Sequence, residues 1–142
     1  MSCDPSLLEL FHAEAETHMG VLTAGILELE RDPRQATRYE ELMRAAHSIK
    51  GAARIVGIDR AVALAHVIED CFVAARQGQI ALTSDTVDVL LPAVDLLQAV
   101  TQAHAGTPQP SDSQIEQVVR GVRAAMTGTP LDHPAPSTAP SR

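Results

Sequence analysis

Apolar side chains recur every three or four residues along most of this 142-residue chain, which is the period of a helix with one buried face. Up to residue 127 the pattern is broken only at short stretches rich in proline, glycine, serine or aspartate, near residues 31–35, 57–59, 78–84 and 106–110. Aromatic residues make up 2% of the chain, so its core must consist of Leu, Ile, Val and Ala, which suits closely packed helices. The sequence therefore predicts an all-α fold: an antiparallel four-helix bundle with a fifth, C-terminal helix.

The helix boundaries follow from residues that favour helix ends. We expect helices at about 4–31, 35–56, 59–77, 84–105 and 112–126. Asp4 before Pro5 is a favourable start for the first helix, and Gly57 a favourable end for the second. Asp59 is expected to cap the third helix, and the run 83–85 the fourth.

The chain is expected to contain one domain, residues 1–127, and a tail, residues 128–142. The tail is rich in Pro, Ser and Thr and predicts a disordered linker, which suggests a piece of a longer protein. Pro92 is expected to bend the fourth helix or loosen its first turns. Cys71 lies on an apolar helix face and is expected to be a buried free thiol, and neither it nor Cys3 has metal-ligand spacing.

Charge and hydropathy exclude several classes of function. The formal net charge of −7 argues against nucleic acid as a partner. The N-terminus has no basic segment followed by an apolar run, so no signal peptide is predicted. No apolar stretch approaches the roughly 20 residues that a membrane span needs. We therefore expect a cytoplasmic, monomeric chain that does not insert into a membrane.

The second predicted helix carries a histidine on its polar face. Its apolar face consists of Leu42, Ala45, Ile49, Ala52, Ala53 and Val56. Its other face consists of Glu40, Met43, Arg44, His47, Lys50, Gly51 and Arg54. Gly51, one turn after His47, costs the helix roughly 1 kcal/mol relative to Ala, which makes sense if a large group must approach the histidine. With three cations nearby, His47 is predicted to be a phosphate-carrying nucleophile.

A nucleophilic imidazole needs one ring nitrogen with a free lone pair and a proton on the other. Glu69, on the third helix, can accept that proton in a hydrogen bond and stabilise the cation formed on phosphorylation. Lys50 can neutralise the phosphoryl oxygens. His66 can add a hydrogen bond to the imidazole or to the phosphoryl group.

These residues resemble the signature of a known family. The string H-S-I-K-G at residues 47–51 resembles the H-x-x-K-G motif of histidine phosphotransfer (Hpt) domains. An H-x-x-E follows at His66 and Glu69, 19 and 22 residues after His47, as in the CheA-type chemotaxis kinases. The segments around residues 4–11, 43–57 and 65–71 resemble most closely the hybrid kinases of surface-sensing Wsp pathways.

The resemblance implies a two-component phosphorelay. A separate kinase domain, which uses ATP and Mg²⁺, would phosphorylate His47 on Nε2, and an aspartate of a response-regulator receiver would then take the phosphoryl group. The hydrogen-bonded quartet of the family falls on His47, Lys50, His66 and Glu69, while Arg44, Gly51 and Arg54 are expected to contact the partners. The Wsp resemblance implies the receiver of a diguanylate cyclase. The chain has no ATP-binding motif, so it is expected to be a substrate and phosphodonor of a kinase, with no cofactor of its own.

Two alternatives belong to other classes of function. His47, His66 and Glu69 could ligate a metal ion, but they face away from the bundle interior and Lys50 beside them would repel a cation. The chain could also be an interaction module that docks partner helices without chemistry. That alternative predicts that His47→Ala leaves function intact, and it gives no reason for the Lys50-Gly51 pair.

Overall fold

A computed structural model describes residues 5–32, 34–102 and 109–127, which form five helices and no strand. The helices are α1 (Pro5–Arg31), α2 (Ala36–Val56), α3 (Asp59–Arg76), α4 (Ser84–Thr101) and α5 (Asp112–Thr127). The all-helical prediction is confirmed. Asp4 and the predicted linker at 128–142 lie outside the described residues, so the expected domain boundary stays a prediction.

The helix ends differ from the prediction in two places. Asp59 is the first residue of α3 and not its cap; Ile58 holds the cap position, without a side-chain hydrogen bond. The fourth helix ends at Thr101, earlier than predicted, and continues unbroken through Pro92, whose side chain is exposed. Thr83 caps α4 as expected, because its Oγ1 accepts a hydrogen bond from the Thr86 amide at 3.4 Å.

The first four helices pack in a ring. Helix α2 lies between α1 and α3, and α4 closes the ring by packing against both α1 and α3. Helix α5 packs against α3 and α4, with Ile115 and Val122 buried. The fifth helix therefore belongs to the packed fold, and the α2–α3 face is left clear of it.

The core is aliphatic, as the scarcity of aromatic residues predicts. Its largest fully buried side chains are Leu22, Ile26, Leu29, Leu42, Ile49, Leu64, Val67, Ile68, Phe72, Val87, Leu90 and Leu97. Leu7, near the start of α1, is exposed. Val67 is fully buried on α3, which packs against α2, α4 and α5.

A glycine sets the distance between α1 and α2. A Cβ at Gly25 would lie 2.5 Å from Leu42 Cδ2, so the two helices approach more closely than any other residue there allows. Leu42 belongs to the buried face of α2, so this contact lies on the side of that helix that faces α1. The polar face that carries His47 consequently points outward.

The α2–α3 connection is a tight left-handed turn. Gly57 has φ +81°, and its amide donates to the Arg54 carbonyl at 3.3 Å. The Ile58 amide donates to the Ala53 carbonyl at 2.9 Å, which completes a glycine-terminated helix end. This turn returns α3 alongside α2 and brings Glu69 opposite His47.

Within the described ranges, no helix is both long enough and apolar enough to cross a membrane.

Candidate functional site

His47 projects from the middle of α2 and is held by a carboxylate from α3. Its Nδ1 lies 3.2 Å from Glu69 Oε2, and its side chain is 67% exposed. Glu69 is only 18% exposed, so the carboxylate is seated between the helices while the imidazole stands in solvent. The prediction that α2 and α3 bring these residues together is confirmed by the geometry.

Lys50 completes a three-residue network. Its Nζ donates to Glu69 Oε1 at 2.7 Å, and its side chain is 14% exposed. The two oxygens of one carboxylate thus bind one cation and one imidazole. Because this lysine is partly buried and paired, it anchors Glu69 in addition to the electrostatic role expected for it.

The network fixes which ring nitrogen can react. A carboxylate at hydrogen-bond distance from Nδ1 favours the tautomer with its proton there, which leaves the Nε2 lone pair free. The same carboxylate stabilises positive charge on the ring, because its hydrogen bond strengthens as the imidazole becomes cationic. An exposed ring held in this way is suited to attack an electrophile brought from outside the domain.

His66 has a different neighbour. Its Nε2 lies 3.1 Å from Asp70 Oδ2, one turn further along α3, and both side chains are about half-exposed. The structure therefore joins His47, Lys50 and Glu69 and places His66 in a pair of its own. A role for His66 toward a phosphoryl group stays a prediction.

The three residues expected to contact partners are on the accessible face of α2. Arg44 and Arg54 are exposed and form no ion pair within the part of the chain that the structure describes. A Cβ at Gly51 would meet nothing within 4 Å, so the space beside this glycine is open. The structure therefore leaves room for a partner close to His47.

A further ion pair, which the sequence analysis did not predict, lies between the same two helices, on the α2–α3 seam. Arg76 Nη2 donates to Glu40 Oε2 at 3.0 Å. A shallow groove of about 360 Å³ runs between this pair and the imidazole and is lined by Glu40, Met43, Arg44, His47, Glu69 and Arg76. The signal was available: Glu40 precedes His47 by seven residues and Arg76 follows Glu69 by seven, as an antiparallel helix pair requires.

The donor set does not suit a metal ion. Lys50 occupies one oxygen of Glu69, and an ammonium group beside a metal would repel it. Over the described ranges, no group of three His, Cys, Asp or Glu side chains is arranged to hold a metal.

Comparison with known proteins agrees with this geometry. The family model for the Hpt domain matches residues 6–106. The chemotaxis protein CheA of Halobacterium salinarum is 34% identical over 119 residues, which cover 84% of this chain and 18% of that protein. CheA of Rhizobium meliloti is 30% identical over 132 residues, which cover 93% of this chain and 17% of that protein. The chain thus spans less than a fifth of the length of these relatives.

Two solved structures share the fold. The phosphorylated P1 domain of CheA3 from R. sphaeroides, solved in complex with CheY6, superposes with a TM-score of 0.75 at 21% identity, covering 88% of this chain and 98% of that one. The solution structure of the histidine phosphotransfer domain of CheA superposes with a TM-score of 0.70 at 25% identity, covering 86% and 92%. The chain belongs to the Hpt domain family, and within it to the Hpt domains of CheA-type chemotaxis kinases.

Proposed function

We propose that this chain is the phosphoacceptor and phosphotransfer domain of a CheA-like histidine kinase. His47 takes a phosphoryl group from ATP bound by a kinase domain of the parent protein and passes it to an aspartate of a receiver domain. One observation carries the proposal: the Glu69 carboxylate holds Nδ1 of an otherwise exposed imidazole. The parent protein would be the kinase, and this domain its substrate and then its phosphodonor.

In the first step the Nε2 lone pair of His47 attacks the γ-phosphorus of ATP. The Nε2–P bond forms as the bond from that phosphorus to the bridging oxygen breaks, and ADP leaves with the electron pair. The proton on Nδ1 remains there, hydrogen-bonded to Glu69, so the ring charge that develops is stabilised where it forms. ATP and Mg²⁺ belong to the partner domains in this proposal.

In the second step a carboxylate oxygen of the receiver attacks the same phosphorus. The P–Nε2 bond breaks, its electron pair returns to the imidazole, and an acyl phosphate forms on the receiver. The Lys50–Glu69 pair is retained through both steps, so the domain returns to its starting state. A CheA P1 domain crystallised in phosphorylated form with CheY6 supports a receiver as the partner.

The finer assignment concerns the pathway. The resemblance to Wsp-type hybrid kinases leads us to propose the receiver of a diguanylate cyclase as the cognate acceptor. Transfer to such a receiver faster than to a CheY-type receiver would support this assignment, and the reverse order would contradict it.

The proposed function is tested by following one phosphoryl group through both steps. The domain is first labelled by an excised kinase domain of CheA type with radioactive ATP. The labelled domain is then separated from the nucleotide and mixed with receivers. We expect a label that is stable in alkali, lost in acid, and chased onto a receiver. If the cognate kinase domain leaves the wild type unlabelled, or if the label is acid-stable, the proposal is wrong and the interaction-module alternative takes its place.

A further inference from the structure

We infer that Ile55 is a specificity-determining contact, the apolar residue on which the receiver docks when it takes the phosphoryl group from His47. The inference rests on the proposed function and deepens it, because it names the surface that selects the partner. The observations behind it are an unusual exposure, a position on α2 and the distribution of unpaired charge.

Ile55 is 72% exposed, more than any other large hydrophobic side chain in the described part of the chain. The other exposed ones, Leu7, Leu10, Val21 and Leu27, all belong to α1. The other large aliphatic side chains of α2 are buried or packed against the core. Packing within the domain therefore gives no reason for an isoleucine at this position, and burial by a partner would remove a large apolar surface from water.

The position of Ile55 relates it to the phosphoacceptor. It follows His47 by eight residues, which is about 12 Å along the helix axis and about 80° around it. Gly51 lies between the two residues, and the space above it is open. A partner protein that reaches the imidazole across Gly51 would therefore also cover Ile55, because the two residues are close enough to lie in one protein–protein interface.

The charge around this surface indicates the chemistry of the partner. Arg38, Arg60 and Arg76 are each paired with a carboxylate. Arg44 and Arg54, which flank His47 along α2, have no such partner among the described residues. Two unpaired cations next to His47, on a chain of net charge −7, favour a partner with an acidic surface at this place, and the receiver must present a carboxylate to His47 in any case.

Charged and apolar contacts have separable effects on association. Free surface cations mainly steer the encounter and lose their effect in salt, whereas a buried aliphatic contact lengthens the life of the complex. We therefore assign steering to Arg44 and Arg54 and selection of the receiver to Ile55.

The experiment measures transfer from the phosphorylated domain to a receiver as a function of receiver concentration. The receiver is the member of a panel of CheY-type and diguanylate-cyclase receivers that takes the phosphoryl group fastest from the wild type. The test variant is Ile55→Asn, and Ile55→Leu tests whether another aliphatic side chain restores binding. The matched control is Leu27→Asn, which makes the same kind of change at a leucine of α1 that is 46% exposed. Circular dichroism and kinase labelling confirm that each variant folds and presents His47.

We expect Ile55→Asn to raise the KM for the receiver about tenfold while the maximal transfer rate is unchanged, since loss of one aliphatic contact weakens binding by about that factor. Ile55→Leu should stay within about twofold of the wild type, as should Leu27→Asn. The effect of Ile55→Asn should persist at high salt.

An unchanged KM for Ile55→Asn, or an equal rise for Leu27→Asn, would overturn the inference while the proposed function stands. The inference would also be overturned if sedimentation shows that the wild type is a dimer and that Ile55→Asn is a monomer, because the surface around Ile55 would then serve self-association. If a labelled wild type transfers to no receiver of the panel, the proposed function fails and the inference fails with it.

Discussion

Glu69 contacts two partners with its two oxygens: Lys50 at 2.7 Å and the His47 ring at 3.2 Å. The lysine keeps the carboxylate in place and the carboxylate orients the ring, so the orientation of an exposed histidine depends on residues that are largely buried. At the scale of single residues, we predict that Glu69 controls the rate of phosphorylation without being needed for the fold.

Glu69→Gln should slow labelling of His47 by about 10- to 100-fold, because a hydrogen bond to a charged group contributes roughly 1.5–3 kcal/mol. Initial rates with a CheA-type kinase domain and ATP measure this effect. Glu40→Gln is the matched control, since it removes a carboxylate from an ion pair on the same seam without touching the imidazole. Equal rates for the wild type and Glu69→Gln would remove Glu69 from the mechanism.

Burial raises the pKa of the Cys71 thiol to about 12, with a smaller contribution from the Asp70 charge. The unfolded thiol ionises near pH 9.0 and the folded one does not, so this group makes the unfolding free energy fall as pH rises above 9. The slope is about 1.4 kcal/mol per pH unit, and it should be absent from Cys71→Val.

Urea unfolding between pH 9 and 11 measures how the unfolding free energy depends on pH in the protein with Cys71 and in the Cys71→Val variant. Both proteins carry Cys3→Ser, so that Cys71 is the only cysteine that differs. In the same background, a thiol reagent at pH 8 should react with Cys71 only after unfolding. Rapid reaction of the native protein would show that the thiol is accessible, which contradicts the structure.

The residue-scale predictions from sequence succeeded where helix faces decide the contact. His47, Lys50 and Glu69 fall on facing sides of two adjacent helices, and the structure joins them. His66 shares that side, but Asp70 lies one turn away on the same helix, and such a local pair competes with any contact across the seam. Periodicity shows which residues can meet and does not rank competing partners.

At the scale of helices, two glycines of α1 have opposite roles. A Cβ at Gly25 would lie 2.5 Å from the buried Leu42, whereas a Cβ at Gly20 would meet nothing within 4 Å. Gly25 therefore permits the close approach of α1 and α2, whereas Gly20 has no packing role and only lowers the stability of the helix.

Gly25→Ala should lower the unfolding free energy by about 1–3 kcal/mol through overpacking, while Gly20→Ala should raise it by about 0.5–1 kcal/mol. Urea denaturation of the two variants gives both values. A stabilising Gly25→Ala would mean that α1 and α2 are less closely packed than described.

Gly51 and Gly121 are a second pair, in α2 and α5, and neither has a neighbour within 4 Å of an added Cβ. Alanine at either position should raise the unfolding free energy by about 0.5–1 kcal/mol. Only Gly51→Ala should slow transfer to a receiver, because a partner must approach His47 across that position. Transfer at the wild-type rate by the more stable Gly51→Ala would show that the glycine has no role in docking.

The helices themselves were predictable because their ends carry strong signals, such as Gly57 with its positive φ and Thr83 with its cap. The error at Asp59 has a physical reason: an aspartate stabilises the first turn of a helix as well as the cap position. Leu7 is exposed although it is apolar, because it lies in the first turns of α1, where the bundle no longer covers it.

At the scale of the whole molecule, the ring of α1–α4 supports the site by fixing the α2–α3 register. The same register joins His47 to Glu69 and, two turns away, Glu40 to Arg76. Antiparallel packing was predictable from short connections, whereas the placement of α5 against α3 and α4 was not, because several faces of the bundle could have received an amphipathic helix. Its position leaves the phosphoacceptor face open.

If His47 carries the phosphoryl group, labelling by a kinase must depend on this histidine and on no other. Wild type, His47→Gln and the control His12→Gln are incubated with ATP and the cognate kinase domain, and bound phosphate is counted. We expect equal labelling of the wild type and His12→Gln and none of His47→Gln, with all three equally folded by circular dichroism. Labelling of His47→Gln at the wild-type level would place the phosphate on another residue and rule out His47 as its carrier.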